Sequence, residues 1–103
     1  MGTSRQRDDP RISLQGLRVL QAFLADPHQV LAGADVARVS GLASGTLYPI
    51  LLRLESAGWL KSKWEAVDPA KVGRPRRRLY RLTPTGLARA SEILGELAAG
   101  VPA

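Results

Sequence analysis

A chain of 103 residues supports one domain with a modest core, not two. Its 15 Lys and Arg against 9 Asp and Glu leave a net charge of +6, which points to a polyanion as partner. The absence of cysteine excludes disulfides, thiolate metal sites and cysteine nucleophiles together.

Residues 1–11 are polar and charged and read as a flexible arm; without an apolar stretch they are not a secretory signal. No apolar run approaches the roughly 20 residues of a membrane span, so a cytoplasmic protein with no membrane contact is expected. A first helix opens at Ser13 as N-cap, aligns Leu14, Leu17, Leu20 and Leu24 on one face, and stops at Asp26-Pro27. Val19 and Phe23 widen its apolar surface beyond the need of one small core.

A second, short helix fits Gly33 to Ser40, with Val36 and Val39 facing inward. Gly41 supplies a tight turn and Ser44 can cap a third helix, giving the helix-turn-helix pattern. At 100° per residue the third helix gathers Leu47, Ile50, Leu51, Leu54 and Ala57 on one side. Gly45, Pro49, Leu52 and Ser56 lie opposite, flanked by Ser44 and Tyr48 on one edge and Thr46 and Arg53 on the other. Small residues, hydroxyls and one guanidinium suit a surface that enters a nucleic-acid groove. Pro49 comes early in the helix, where its missing N–H costs least.

Gly58 ends this helix. Leu60, Ser62 and Trp64 then alternate with Lys61, Lys63 and Glu65 as a half-exposed strand, and Arg77 to Leu82 returns with Arg78, Tyr80 and Leu82 on one face. Between them, Ala66 to Arg76 reads as irregular. Two strands with a basic tip make a wing. Thr83-Pro84 opens a fourth helix through Leu87, Ala90, Ile93, Leu94 and Leu97, ending near Gly100 and Pro102. The expected fold class is α+β, mostly α: a winged helix-turn-helix over residues 12–82, followed by a dimerisation helix and tail over 83–103.

From Arg53 to Arg81, nine basic residues face three acidic ones, a difference of +6 that equals the net charge of the whole chain. The excess is therefore local, as in a contact surface. Arg74, Arg76, Arg77 and Arg78 are expected to contact phosphates or the minor groove; the plainer reading is a solvated charged loop. Tyr48 either touches DNA or caps the edge of the core. Ser44 and Thr46 serve as phosphate ligands or as helix caps, and Arg53 reaches phosphate or pairs near Glu55. Trp59 packs the helix–strand junction, whereas Trp64 could line a dimer-interface pocket for a flat ligand. His28, the one histidine, sits in a turn with no partner for catalysis or metal binding. No catalytic residues, metal site or cofactor are expected, and an enzyme is not.

The run Gly45-Thr46-Leu47-Tyr48-Pro49-Ile50-Leu51-Leu52-Arg53-Leu54-Glu55-Ser56-Ala57-Gly58-Trp59-Leu60, followed by Gly73-Arg74-Pro75-Arg76-Arg77-Arg78-Leu79-Tyr80-Arg81-Leu82-Thr83-Pro84-Thr85-Gly86, resembles the PadR-like winged helix-turn-helix transcriptional regulators. The likeness extends over roughly Leu14 to Leu97. It implies a bacterial, archaeal or phage origin, a homodimer built through the last helix with help from the first, and repression by occupying a promoter. Carried over, Ser44, Thr46, Tyr48, Pro49 and Arg53 would meet the major groove and backbone, and the wing arginines the flanking minor groove. Two departures stand out. Leu79 occupies a position where the family commonly has an aromatic, and the chain stops soon after its last helix, which would leave little room for an effector domain.

The sequence therefore predicts a dimeric regulator, a repressor on an inverted-repeat operator in double-stranded DNA. Val19, Phe23, Leu87, Ile93, Leu94 and Leu97 are the expected dimer interface. The alternatives are a sensor for a small hydrophobic effector bound in an aromatic pocket between protomers, and a winged-helix module that binds an acidic protein.

Overall fold

The computed structural model describes residues 11–100; the arm expected over 1–11, Arg11 apart, and the last residues 101–103 lie outside the described part. Helix α1 spans Leu14–Leu24, with the Ser13 hydroxyl accepting the Gly16 N–H at 3.1 Å. Strand β1 covers Leu31–Ala32 and helix α2 Gly33–Ser40. Gly41 ends α2 with φ of 75°, a left-handed conformation that only glycine adopts without strain, and so turns the chain into α3, Ser44–Ser56. Strand β2 (Leu60–Trp64), the short helix α4 (Pro69–Val72), strand β3 (Arg78–Leu82) and helix α5 (Pro84–Ala98) complete the order.

The sheet has three antiparallel strands in the order β1-β3-β2. Leu60 faces Leu82, Ser62 faces Tyr80 and Trp64 faces Arg78, so the period-2 pattern of each strand turns one face to the helices. Behind it Val19, Leu20, Phe23, Val36, Leu47, Leu51, Leu54, Trp59 and Leu60 are shut off from solvent almost completely. Burying each such leucine or phenylalanine contributes about 1.5–3 kcal/mol. The expected α+β winged helix-turn-helix is the fold observed, and among the described residues no helix is long and apolar enough to cross a membrane.

The join between α3 and α5 is made by main chain and the Thr83 hydroxyl. The Trp59 carbonyl accepts the Thr83 N–H at 3.0 Å, the Thr83 hydroxyl donates to the Gly58 carbonyl at 2.6 Å, and the same hydroxyl oxygen accepts the Gly86 N–H at 3.0 Å. Gly86 then lies so close to the Trp59 carbonyl that a Cβ could not be accommodated. The first turn of α5 is thus fixed to the end of α3 at a position where only glycine fits.

Several expectations are corrected. Val19 and Phe23 are 0% and 1% exposed within the single chain, because α2, α3 and α5 all pack on α1; they are core, not dimer surface. Val39 is 55% exposed, since the buried stripe of α2 runs through Gly33, Val36 and Ser40 and leaves it to one side. Ser44 does not cap α3: Ala43 occupies the cap and Ser44 is the first helical residue. Strand β1 was not expected. The segment read as irregular contains α4, opened by Asp68, whose carboxylate accepts the Ala70 N–H at 3.0 Å, and closed by Gly73.

Candidate nucleic-acid interface

Helix α3 presents the face that its periodicity predicts. Leu47, Ile50, Leu51 and Leu54 are buried, while Ser44, Gly45, Thr46, Tyr48, Pro49, Leu52 and Arg53 are exposed. From Ser44 to Leu52 this face carries no charge, and Arg53 extends from it with no side-chain hydrogen bond or ion pair among the described residues. The N-termini of α1, α4 and α5 each have a side-chain acceptor, whereas α3 has none, because Ala43 offers no polar atom. Thr46 and Leu47 donate their N–H groups to the Ala43 carbonyl at 3.0 and 2.9 Å, and those of Ser44 and Gly45 are left for an acceptor outside the helix.

Tyr48 combines both of its sequence readings. Its side chain is 46% exposed, yet the ring rests on the buried Gly33 at the start of α2; an ideal Cβ there would stand 2.5 Å from the phenol oxygen. Asp35 secures that end of α2 by accepting the Ala32 N–H at 3.0 Å. The tyrosine is therefore propped against the first helix of the motif with its edge in solvent.

The wing arginines are engaged rather than free. Arg74 donates through two N–H groups to the two Glu65 carboxylate oxygens at 2.7 and 3.1 Å, and Arg77 donates to the same carboxylate at 3.1 Å. Those two arginines hold the Glu65 carboxyl well below its usual range, at about 2, against a smaller upward push from desolvation. Arg76 donates from Nε to the Val67 carbonyl at 2.9 Å. Arg78 donates from Nε to the Ser62 hydroxyl at 2.9 Å, and that hydroxyl donates to Glu55 at 2.6 Å. The Arg78 guanidinium also stands 5.0 Å from the centre of the Trp64 ring, a stacking worth about 0.5–1 kcal/mol at an exposed site. Trp64, 59% exposed, is thus paired with an arginine on the rim of the wing. Beneath it, burial and the Glu55 carboxylate push the Tyr80 phenol up.

Helix α3 and the wing share a cleft of about 490 Å³, lined by Tyr48 on one side and by Trp64, Arg76, Arg77 and Arg78 on the other. The sequence reading missed Glu65 as the organiser of this loop. Its signal was present: it sits at the end of β2, and the hairpin brings the Arg74–Arg78 run back beside it. Of the residues assigned to a dimer, Leu87, Ile93 and Leu94 on α5 are half-buried, with Leu87 and Ile93 lying against the core, and Leu97 is 46% exposed. Among the described residues no group of three His, Asp or Glu could hold a metal ion.

The model of the transcriptional regulator PadR-like family matches residues 34–92, which take in α2, the α3 face and the whole wing. The transcriptional regulator Rv3488 of Mycobacterium tuberculosis is 49% identical over 51 residues, covering 50% of this chain and 43% of that protein. Among solved structures, the PcaV transcriptional regulator of Streptomyces coelicolor is 31% identical with a TM-score of 0.69, over 88% of this chain and 60% of that one, and PcaV has also been solved with its natural ligand. Reduced AbfR bound to DNA has a TM-score of 0.69 at 23% identity, over 88% of this chain and 60% of that one, a likeness of fold. The chain thus spans less than two thirds of the length of these relatives.

Proposed function

Because this chain belongs to the transcriptional regulator PadR-like family, we propose that it is a homodimeric, sequence-specific DNA-binding regulator that represses from an inverted-repeat operator. The observation that carries the reading is the shared cleft: Tyr48 of α3 and Arg76, Arg77 and Arg78 of the wing open to the same side. In this reading Ser44, Thr46, Tyr48, Pro49 and Arg53 enter a major groove, with the uncapped start of α3 toward a phosphate. The wing, including Arg74, lies over the neighbouring minor groove. The family and the relatives are transcriptional regulators, not enzymes.

The dimer reading rests on α5, where Leu94 and Leu97, with the uncovered part of Ile93, leave an apolar strip that the described residues do not cover. Leu14 on α1, 69% exposed, extends the apolar surface available to a partner protomer. A second reading, a regulator that also senses a small hydrophobic effector, is favoured by the exposed Trp64 and its stacked Arg78 at the rim of the cleft.

The deciding experiment is a salt-series binding titration against the DNA upstream of the protein's own gene, with unrelated duplex as competitor. Binding that survives the competitor is expected. Weak binding lost equally on both duplexes would overturn sequence specificity and bring an acidic protein partner forward. Sedimentation at micromolar concentration tests the dimer, and a monomer would defeat that part of the reading.

A further inference from the structure

The face of the wing sheet turned away from the helices carries cations that no side chain among the described residues engages. The β2–β3 register sets Lys61 directly opposite Arg81 and Lys63 opposite Leu79. Their strand neighbours Leu60, Tyr80 and Leu82 point into the core, so these four side chains share the outer face. Lys61, Lys63 and Arg81 are all exposed, and among the described residues none makes an ion pair or a side-chain hydrogen bond.

This arrangement is unfavourable for the isolated chain. Like charges directly opposed on two strands repel, and Lys63 follows two residues along on the same face, about 7 Å away. Among the described residues the carboxylate bordering this surface is Glu55, which already accepts the Ser62 hydroxyl at 2.6 Å. The surface is also slightly hollow, a cleft of about 430 Å³ lined by Val30, Leu79 and the three cations. The loop arginines present the opposite case, since Arg74 and Arg77 share the Glu65 carboxylate as ion-pair partner and Arg76 and Arg78 are held by hydrogen bonds.

We propose that the outer face of the wing sheet is a second phosphate-binding surface, on which Lys61, Lys63 and Arg81 grip the backbone of duplex DNA beyond the half-site met by α3. The inference rests on the DNA-binding reading above and adds a site to it. In that reading α3 lies in a groove with the wing beside it, and the outer face of the sheet, opposite the cleft shared with Tyr48, is placed toward the flanking duplex. Unpaired cations there release counterions on contact, whereas an arginine already paired with Glu65 must first exchange its carboxylate partner.

The test compares the full chain with a Lys61→Gln, Lys63→Gln, Arg81→Gln variant on two duplexes. One covers only the protected operator core, and the other extends it by ten base pairs on each side. For the wild-type chain, binding to the extended duplex should fall more steeply with salt than binding to the core. The triple variant should flatten the extended-duplex slope by about 2–3, close to 0.9 per lost phosphate contact, and leave the core duplex unchanged. A Lys61→Arg, Lys63→Arg, Arg81→Lys variant keeps the charge and should keep the wild-type slope.

Equal flattening on both duplexes would overturn the proposal, because it would reflect net charge rather than a flanking contact. Unchanged slopes on both would also overturn it and assign the face to an acidic protein. If the wild-type chain bound neither duplex, the underlying DNA reading would fail as well, so the two failures are distinguishable.

Discussion

Glu65 receives the Arg74 guanidinium through two parallel hydrogen bonds, 2.7 and 3.1 Å long, that join the end of β2 to the loop leading into β3. The Glu65 main chain reinforces the link by donating to the Arg77 carbonyl at 2.8 Å. A loop with several arginines would spread apart by repulsion; this one is drawn in around a carboxylate that is 12% exposed. Part of the positive charge predicted for the wing is consequently used to shape it.

The pH dependence follows from that carboxylate. Its pKa is depressed from 4.5 to about 2 in the folded chain, so its contribution is fully present above 4.5 and is lost as pH falls toward 2. The melting temperature of the wild-type chain should exceed that of Glu65→Gln by a constant margin from pH 8 to pH 5. The margin should then shrink between pH 4.5 and 2. A margin unchanged at pH 2.5 would show that the ion pairs do not stabilise the fold.

The same substitution should change DNA binding in the opposite sense. Removing the carboxylate charge frees Arg74 and Arg77 for phosphates, so Glu65→Gln should bind unrelated duplex more tightly, with a salt slope steeper by about 1–2. Weaker binding with an unchanged slope would mean that Glu65 matters by holding the wing in shape.

Gly86 and Gly95, both on α5, should respond to alanine with opposite signs. An interior Gly→Ala change ordinarily stabilises a helix by about 0.5–1 kcal/mol, and Gly95, with nothing within 4 Å of its missing Cβ, should do so. At Gly86 the new methyl would collide with the Trp59 carbonyl, and main chain cannot swing aside as a side-chain tip can. A loss on the order of 1–3 kcal/mol or more is expected there by chemical denaturation. A stabilised Gly86→Ala would show that α5 can shift on α3 at little cost.

The elements legible in the sequence were those long enough to repeat their period. Leu47, Ile50, Leu51 and Leu54 defined the buried face of α3, and Leu60, Tyr80 and Leu82 the inner face of the sheet. Strand β1 has two residues and α4 four, too short for any periodic signal, although Asp68-Pro69 and Gly73 are start and stop residues that could have marked α4. Val19 and Phe23 were misplaced because periodicity identifies an apolar face but not which chain covers it. Glu65 was missed for a similar reason: its partners follow it by nine and twelve residues, and only the closed hairpin brings them together.

Leu51 and Leu52 separate folding from recognition on adjacent positions of α3. Leu51 is 0% exposed and Leu52 66% exposed. Leu51→Ala should cost about 2–5 kcal/mol of stability through the cavity it leaves. Leu52→Ala should stay within about 0.5 kcal/mol of wild type, yet weaken operator binding if α3 lies in the groove. Full operator affinity in a normally stable Leu52→Ala chain would remove that part of α3 from the interface.

Tyr48 and Gly33 should prove energetically coupled. A Cβ on Gly33 would approach the Tyr48 phenol oxygen to 2.5 Å and its ring carbons to 3.0 Å, so Gly33→Ala must push the tyrosine toward solvent. That displacement moves the side chain on the exposed edge of α3, and operator affinity should fall more than unrelated-DNA affinity. Tyr48→Phe removes the atom in closest approach, and Gly33→Ala should be tolerated better in that background. A double-mutant cycle on operator affinity should therefore give a coupling on the order of 0.5–3 kcal/mol, as for residues in contact. Strict additivity would mean that the ring reaches DNA, if it does, from a position Gly33 does not set. Coupling in melting temperature without coupling in affinity would confine Tyr48 to the edge of the core.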